Sequence, residues 1–375
     1  MGERRAPAGS VFLGTLARRV GFSRLGGVIA LAAVSGGVAR GQAITEFTVP
    51  TEFSQPHYLA AGSDGNVWFT EYIADKIGRI TVAGTFTEFP LAFRSLPWRV
   101  ADGPDGSLWF TEEGTDKIGR ITTAGAIAEF PIPTPSSAPR GIAAGPDGNL
   151  WFTETSGNKI GRLTPAGTIT EFPIPTASST PFAITAGPDG NLWFVESAIN
   201  EITGGSTRAN TNIGRITTAG VITEFPIPTK NSGPVGIAAG PDGNVWFTEA
   251  FANQIGRITP AGVITEFSVP TPNSAPRGIV AGPDGNVWFT EANVNGIGRI
   301  TPSGVVTSLA VPTGGSRPTG IVVGPDGNLW FTEEIGNKIG RIAVTPQGTN
   351  AREAVKKLST TRRPRVVVFR TPLPN

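Results

Sequence analysis

Seven glutamates recur at a nearly constant spacing: Glu71, Glu112, Glu154, Glu196, Glu249, Glu291 and Glu333. Fourteen residues before each stands a residue whose type changes from copy to copy: His57, Trp98, Arg140, Phe182, Val235, Arg277 and Thr319. Convergent carboxylates around a channel mouth could hold a hard cation such as Mg²⁺ or Ca²⁺ through oxygen ligands. The bland alternative is scaffold work, each Glu accepting backbone N–H groups or pairing with a basic residue just downstream, such as Lys76, Lys117, Lys159 or Lys338. The variable set suits recognition, because aromatic and Arg side chains are the types favoured in binding hot spots. His57 is the single histidine and so the one imidazole base the chain can offer, with Glu71, Tyr58 and Tyr72 as potential helpers; more often a lone rim histidine is an ordinary polar surface residue. Nothing in the chain has the form of a Ser nucleophile elbow, a P-loop or a zincin motif. With no cysteine, disulfides and thiolate metal sites are excluded.

The elements that must position these residues follow from the repeat itself. Trp68, Trp109, Trp151, Trp193, Trp246, Trp288 and Trp330 are separated by 41, 42, 42, 53, 42 and 42 residues, so the period is near 42 with an 11-residue insertion in the fourth copy. Units of this length with short strands and Gly/Pro turns predict a radial β array. In the third copy, Arg140 to Gly145 reads as strand A and Leu150 to Glu154 as strand B, joined by a Pro-Asp-Gly-Asn turn. Lys159 to Thr164 reads as strand C and, after Pro-Ala-Gly, Thr168 to Phe172 as strand D. Pro173-Ile174-Pro175 places D at the outer edge of the blade.

The repeat begins on a strand D, Ile44-Thr45-Glu46-Phe47, and ends on a seventh copy with strands A to C (Thr319–Gly324, Leu329–Glu333, Lys338–Ala343) but no D. The N-terminal strand therefore completes the last blade. The prediction is an all-β, seven-bladed β-propeller of four-stranded antiparallel blades over residues 44–345. A-to-B and C-to-D turns are short and uniform, whereas B-to-C and D-to-A connections are longer and vary, so the sites belong to the face carrying the long loops. The insertion, within Ser197 to Asn212, falls on that face as a lid or as a harmless surface insertion. The recurrent Arg of Ile-Gly-Arg points the other way, toward an ion pair with the turn Asp.

Composition misleads until the chain is divided. Residues 1–43 hold six Arg and one Glu, and residues 346–375 hold seven Lys or Arg and one Glu. Removing them from 31 basic and 29 acidic residues leaves 18 and 27, a core near −9 in a chain of formal charge +2. A nucleic-acid partner is therefore not expected of the core. Residues 1–43 read as an export signal: Arg18-Arg19, an uncharged run from Leu25 to Ala39, and small residues up to Ala43. The route, Sec or twin-Arg, stays open. The mature chain is expected in the periplasm or outside the cell, monomeric and free of the membrane, with 346–375 as a basic, flexible tail.

The units Gly-Pro-Asp-Gly-Asn-Leu-Trp-Phe-Thr-Glu, Asn-Lys-Ile-Gly-Arg-Ile-Thr-Pro-Ala-Gly and Ile-Thr-Glu-Phe-Pro-Ile-Pro-Thr resemble those of the streptogramin B lyases, the virginiamycin B lyase family, over residues 44–345. That resemblance implies a seven-bladed propeller that opens the macrolactone of a cyclic depsipeptide antibiotic by Mg²⁺-assisted elimination across the ester C–O bond, a resistance activity. It further implies a last blade whose strand A begins Glu-Pro-His, with the His as base, the Glu on the metal, the Glu ending strand B as second ligand, and another His one blade earlier. This chain has Arg317-Pro318-Thr319, Glu333 and Arg277 at those places. Two expectations follow: a lyase site rearranged around His57, Glu71 and Glu333, or a non-catalytic propeller binding a small molecule, cyclic peptide or protein through Trp98, Arg140, Phe182, Arg277 and Thr319.

Overall fold

The computed structural model describes residues 42–197, 199–200, 205–206 and 211–346. The segment expected to be an export signal, apart from its last two residues, and the chain beyond residue 346 lie outside the described residues, as does most of the insertion. Within them are seven four-stranded antiparallel sheets, each ordered A-B-C-D. Blade 1 is formed by Pro56–Ala61, Val67–Glu71, Lys76–Ile80 and Phe86–Pro90. In blade 7, Pro318–Val323, Leu329–Glu333 and Lys338–Ile342 are completed by the N-terminal strand Ile44–Thr48. Ile44 pairs with Ile342 and Thr48 with Lys338, so the two ends of the repeat close the ring as expected. The insertion contributes one two-residue hairpin, Ile199–Asn200 against Gly205–Ser206.

The repeat signature is legible as packing. Each strand-B Trp is fully buried and donates its indole N–H to the turn Asp four residues earlier, as Trp68 does to Asp64 at 3.1 Å and Trp330 to Asp326 at 2.9 Å. Asp64 also accepts from Asn66, which fixes the Asp-Gly-Asn turn with Gly65 at φ 75°. The next residue of B, Phe69, lies over Gly78 of strand C; a Cβ there would stand 2.1 Å from the ring, so the Gly of Ile-Gly-Arg makes room for an aromatic. The Arg closes the stack on the short-turn side. Arg79 lies 5.3 Å above Trp68 and 5.5 Å above Phe89 and pairs with Asp64 at 3.6 Å.

Adjacent blades share their cores. Trp68 and Ile77 of blade 1 bury against Leu108, Phe110 and Ile121 of blade 2, and the same sandwich recurs around the ring. On the inner side, a strand-B threonine links neighbours. Thr70 Oγ1 accepts the Tyr58 N–H of its own blade at 3.2 Å and donates to the Trp98 carbonyl of the next at 3.0 Å. Blade 4 carries Val195 at this place, and no such bond forms.

Candidate functional site at the long-loop face

Strand A is the innermost strand, and it starts on a β-bulge in every blade. In blade 1, Pro56 is opposite Glu71 but Leu59 is opposite Phe69, so three steps along A match two along B. The extra residue re-aims His57 and Tyr58. The loop delivering them is clamped: Ser54 donates its N–H and hydroxyl to Asn337 Oδ1 at 2.9 and 3.0 Å, and the Tyr72 N–H reaches the Gln55 carbonyl at 3.1 Å.

The variable ring is brought together from blade 7 through blades 1, 2 and 3 to Phe182 of blade 4 and Val235 of blade 5. His57 is 6% exposed, a buried residue rather than a solvated rim histidine. Its ring stacks on Tyr72 with centroids 4.8 Å apart and planes at 6°, and meets Trp98 edge-on at 4.6 Å. Trp98 in turn contacts Phe182 at 5.8 Å and 88°. Arg140 lies over both, 4.3 Å from Trp98 and 5.1 Å from Phe182. Val235 belongs to the same buried cluster as Trp98 and Phe182. Arg277 stands next in the ring, its carbonyl accepting from Thr248 at 2.8 Å.

Two carboxylates that the sequence reading did not single out organise this cluster. Glu113 accepts from Arg140 Nη2 at 2.8 Å and Nε at 3.1 Å, and from the Tyr72 hydroxyl at 3.3 Å. Glu334 accepts from Thr319 Oγ1 at 2.9 Å and Arg317 Nη1 at 3.2 Å, and His57 Nε2 lies 3.6 Å away. Burial alone would raise the Glu334 carboxyl, but His57, Arg317 and Thr319 hold it down at about 2. Both residues directly follow a repeated Glu. That next position reads Tyr72, Glu113, Thr155, Ser197, Ala250, Ala292 and Glu334 around the ring. A variable position beside an invariant one was the available signal.

Alternation along strand B explains why the repeated glutamates stand elsewhere. Glu71 and Glu333 are fully buried, with no hydrogen bond to either oxygen, rather than exposed at the channel mouth. Burial, and then the nearby Glu88 and Glu46, push each up to about 7. The lysines proposed as their partners bond to the strand-D glutamates instead: Lys76 to Glu88 at 2.8 Å, Lys338 to Glu46 at 2.9 Å, Lys159 to Glu171 at 2.7 Å, and Lys117 to Glu129. A lysine two residues from the cross-strand partner of that Glu reaches an ionised, half-exposed acceptor at lower desolvation cost.

These residues do not fit a Mg²⁺ centre. Among the described residues, no three His, Asp or Glu groups gather as metal ligands. Glu334 is already shared by a guanidinium and a hydroxyl, and Arg317 places positive charge where the resemblance expects a carboxylate.

The chain matches the model of the virginiamycin B lyase family over residues 34–209 and 205–357. It is similar to a solved structure of streptogramin B lyase at 39% identity, covering 81% of this chain and 98% of that one, with a TM-score of 0.75. It is similar at 41% identity to virginiamycin B lyase from Staphylococcus aureus, covering 81% and 99%, TM-score 0.74. The same figures hold for a catalytically inactive His-to-Ala variant of that enzyme with quinupristin.

Proposed function

The chain belongs to the virginiamycin B lyase family, and from there we propose that its long-loop face binds a peptide-like ligand of the streptogramin class without the metal-assisted elimination of the family's enzymes. One observation carries this reading. Arg317 and Thr319, which stand where the resemblance places a metal ligand and the base, are both tied to Glu334. An inactive His-to-Ala enzyme crystallised with quinupristin illustrates that binding outlasts the loss of a base. The aromatic and guanidinium side chains around Trp98 are of the types that dominate recognition. The active form in this reading is an exported monomer beginning near Ala43, with no nucleic-acid partner.

A second reading is favoured by the His57–Glu334 pair. His57 Nε2 faces a carboxylate while Nδ1 has no partner, the arrangement of a base with its orienting acid. In that reading Nδ1 takes the proton from the carbon next to the ester's alkoxy carbon, the C–H electron pair becomes a C=C bond, the alkoxy C–O bond breaks, and its electrons leave on the carboxylate. Turnover and binding of a streptogramin B depsipeptide by residues 44–345, with and without Mg²⁺, separate the two. Saturable binding with no product supports the first. A ring-opened product of unchanged mass, formed without Mg²⁺ and lost in His57→Ala, supports the second; neither binding nor product removes both.

A further inference from the structure

At the start of strand A in blade 2, two neighbouring side chains carry donors that no acceptor meets. Glu113 is taken up by Arg140 and Tyr72, and Glu334 by Arg317 and Thr319. Beyond them are buried donor atoms with no hydrogen-bond partner: Trp98 Nε1 and Arg99 Nε and Nη2. An indole N–H can only donate, and a guanidinium only donates and is always charged. Arg99 directly follows Trp98 in the bulged start of strand A, where four other blades carry Gly141, Gly236, Gly278 and Gly320. At three of those glycines a Cβ would stand within 2.5 Å of the neighbouring blade's backbone, whereas blades 1, 2 and 4 carry Tyr58, Arg99 and Ala183 there. The Arg99 guanidinium is stacked 3.8 Å from the centre of the Tyr58 ring, and among the described residues no carboxylate forms a salt bridge with it. A partly buried cation without a counter-ion carries a desolvation cost, and this one is stacked on an aromatic ring.

We infer that the site selects a carboxylate: a peptide or aryl acid whose anionic end sits on Arg99 and the Trp98 N–H, with its apolar body against Tyr58, His57 and Tyr72. This rests on the reading of the long-loop face as a peptide-ligand site and sharpens it. A cyclic ester has no charge, whereas breaking the ester C–O bond by elimination leaves an alkene and a free carboxylate. The favoured ligand is then the opened, acid-ended form, the product of a ring-opening lyase rather than its substrate.

The test uses residues 44–345 and the peptide N-acetyl-Gly-Pro-Phe, as the free acid and as the C-terminal amide, followed by titration calorimetry. The free acid is expected to bind at least about tenfold more tightly than the amide. That preference should disappear in Arg99→Gln and shrink in Trp98→Phe, which keeps the ring and removes only the donor. Thermal melting of both variants separates a lost contact from a lost fold. Equal binding of acid and amide, or an unchanged preference in a folded Arg99→Gln, overturns the inference, as does absence of binding by either peptide. A cyclic depsipeptide run in parallel keeps the two claims apart: if it binds and the acid shows no advantage, the carboxylate preference fails and the peptide-ligand reading stands. If the acid binds and the ring does not, the carboxylate preference stands and the face is a peptide site that does not take the intact ring.

Discussion

Thr332, in the last blade, donates a 2.6 Å hydrogen bond to the carbonyl of His57 in the first, 275 residues away in the chain. The same hydroxyl accepts the Gly320 N–H at 2.8 Å, so one side chain satisfies two backbone groups and ties the seam on which the candidate site is built. Thr332→Val should destabilise the domain by about 1–3 kcal/mol, read as a lower denaturant midpoint. Val195→Thr, which supplies the hydroxyl missing between blades 4 and 5, should raise it. An unchanged midpoint in Thr332→Val would show that the relay is dispensable.

Glu334 gives the site an acid-sensitive component. Its folded-state value of about 2 lies below the ordinary 4.5, so its stabilisation is complete above pH 4.5 and is lost as pH falls toward 2. Glu334→Gln should therefore be less stable than the parent at pH 7, with the gap closing between pH 4.5 and 2. Chemical denaturation at both ends of that window checks the sign.

The repeated glutamates act in the opposite direction. Glu154, Glu196 and Glu249 are pushed up to about 8, by burial first, with the strand-D glutamates Glu171, Glu224 and Glu266 adding to the shift. Below pH 4.5 such groups are protonated in both states. Above it the unfolded chain gains by ionising and the folded one does not, so stability declines up to about pH 8. The melting temperature is expected to fall from pH 5 to pH 8, and Glu154→Gln with Glu249→Gln should flatten that slope. A rise over the same range would contradict it.

Restoring the implied motif is the sharpest test of whether Arg317 and Thr319 stand in the way of a metal centre. Arg317→Glu combined with Thr319→His rebuilds Glu-Pro-His ahead of Glu333. The double variant is expected to show Mg²⁺-dependent opening of a streptogramin B ring above the parent's rate, followed by mass spectrometry. No gain in a folded variant would place the defect in other residues of the face.

Fold and site differed in how readily the sequence disclosed them. Period, closure and strand limits were readable because Trp, Asp, Gly and Phe each have a packing reason to recur: Trp151 bonds Asp147 at 3.0 Å, and Phe152 fills the space over Gly161. Strand B of the third blade runs Leu150–Glu154, as read, while strand A spans Pro139–Ala144, one residue earlier than expected. The site was only half readable. His57, Trp98, Arg140, Phe182 and Thr319 stood out in the sequence by their variation, whereas Glu113 and Glu334 were hidden one step beyond the recurring Glu. Which face of strand B looks inward depends on the bulge in strand A, and no residue type announces that bulge.

The composite last blade also sets a clock. Glu46 must wait for Lys338, 292 residues later, before its strand has a partner. At ribosomal speeds of roughly 5–20 residues per second, that interval is on the order of 15 to 60 seconds. Throughout it the leading strand is an unprotected β edge, and the nascent chain depends on something other than its own sheet to keep that edge from pairing with a neighbour.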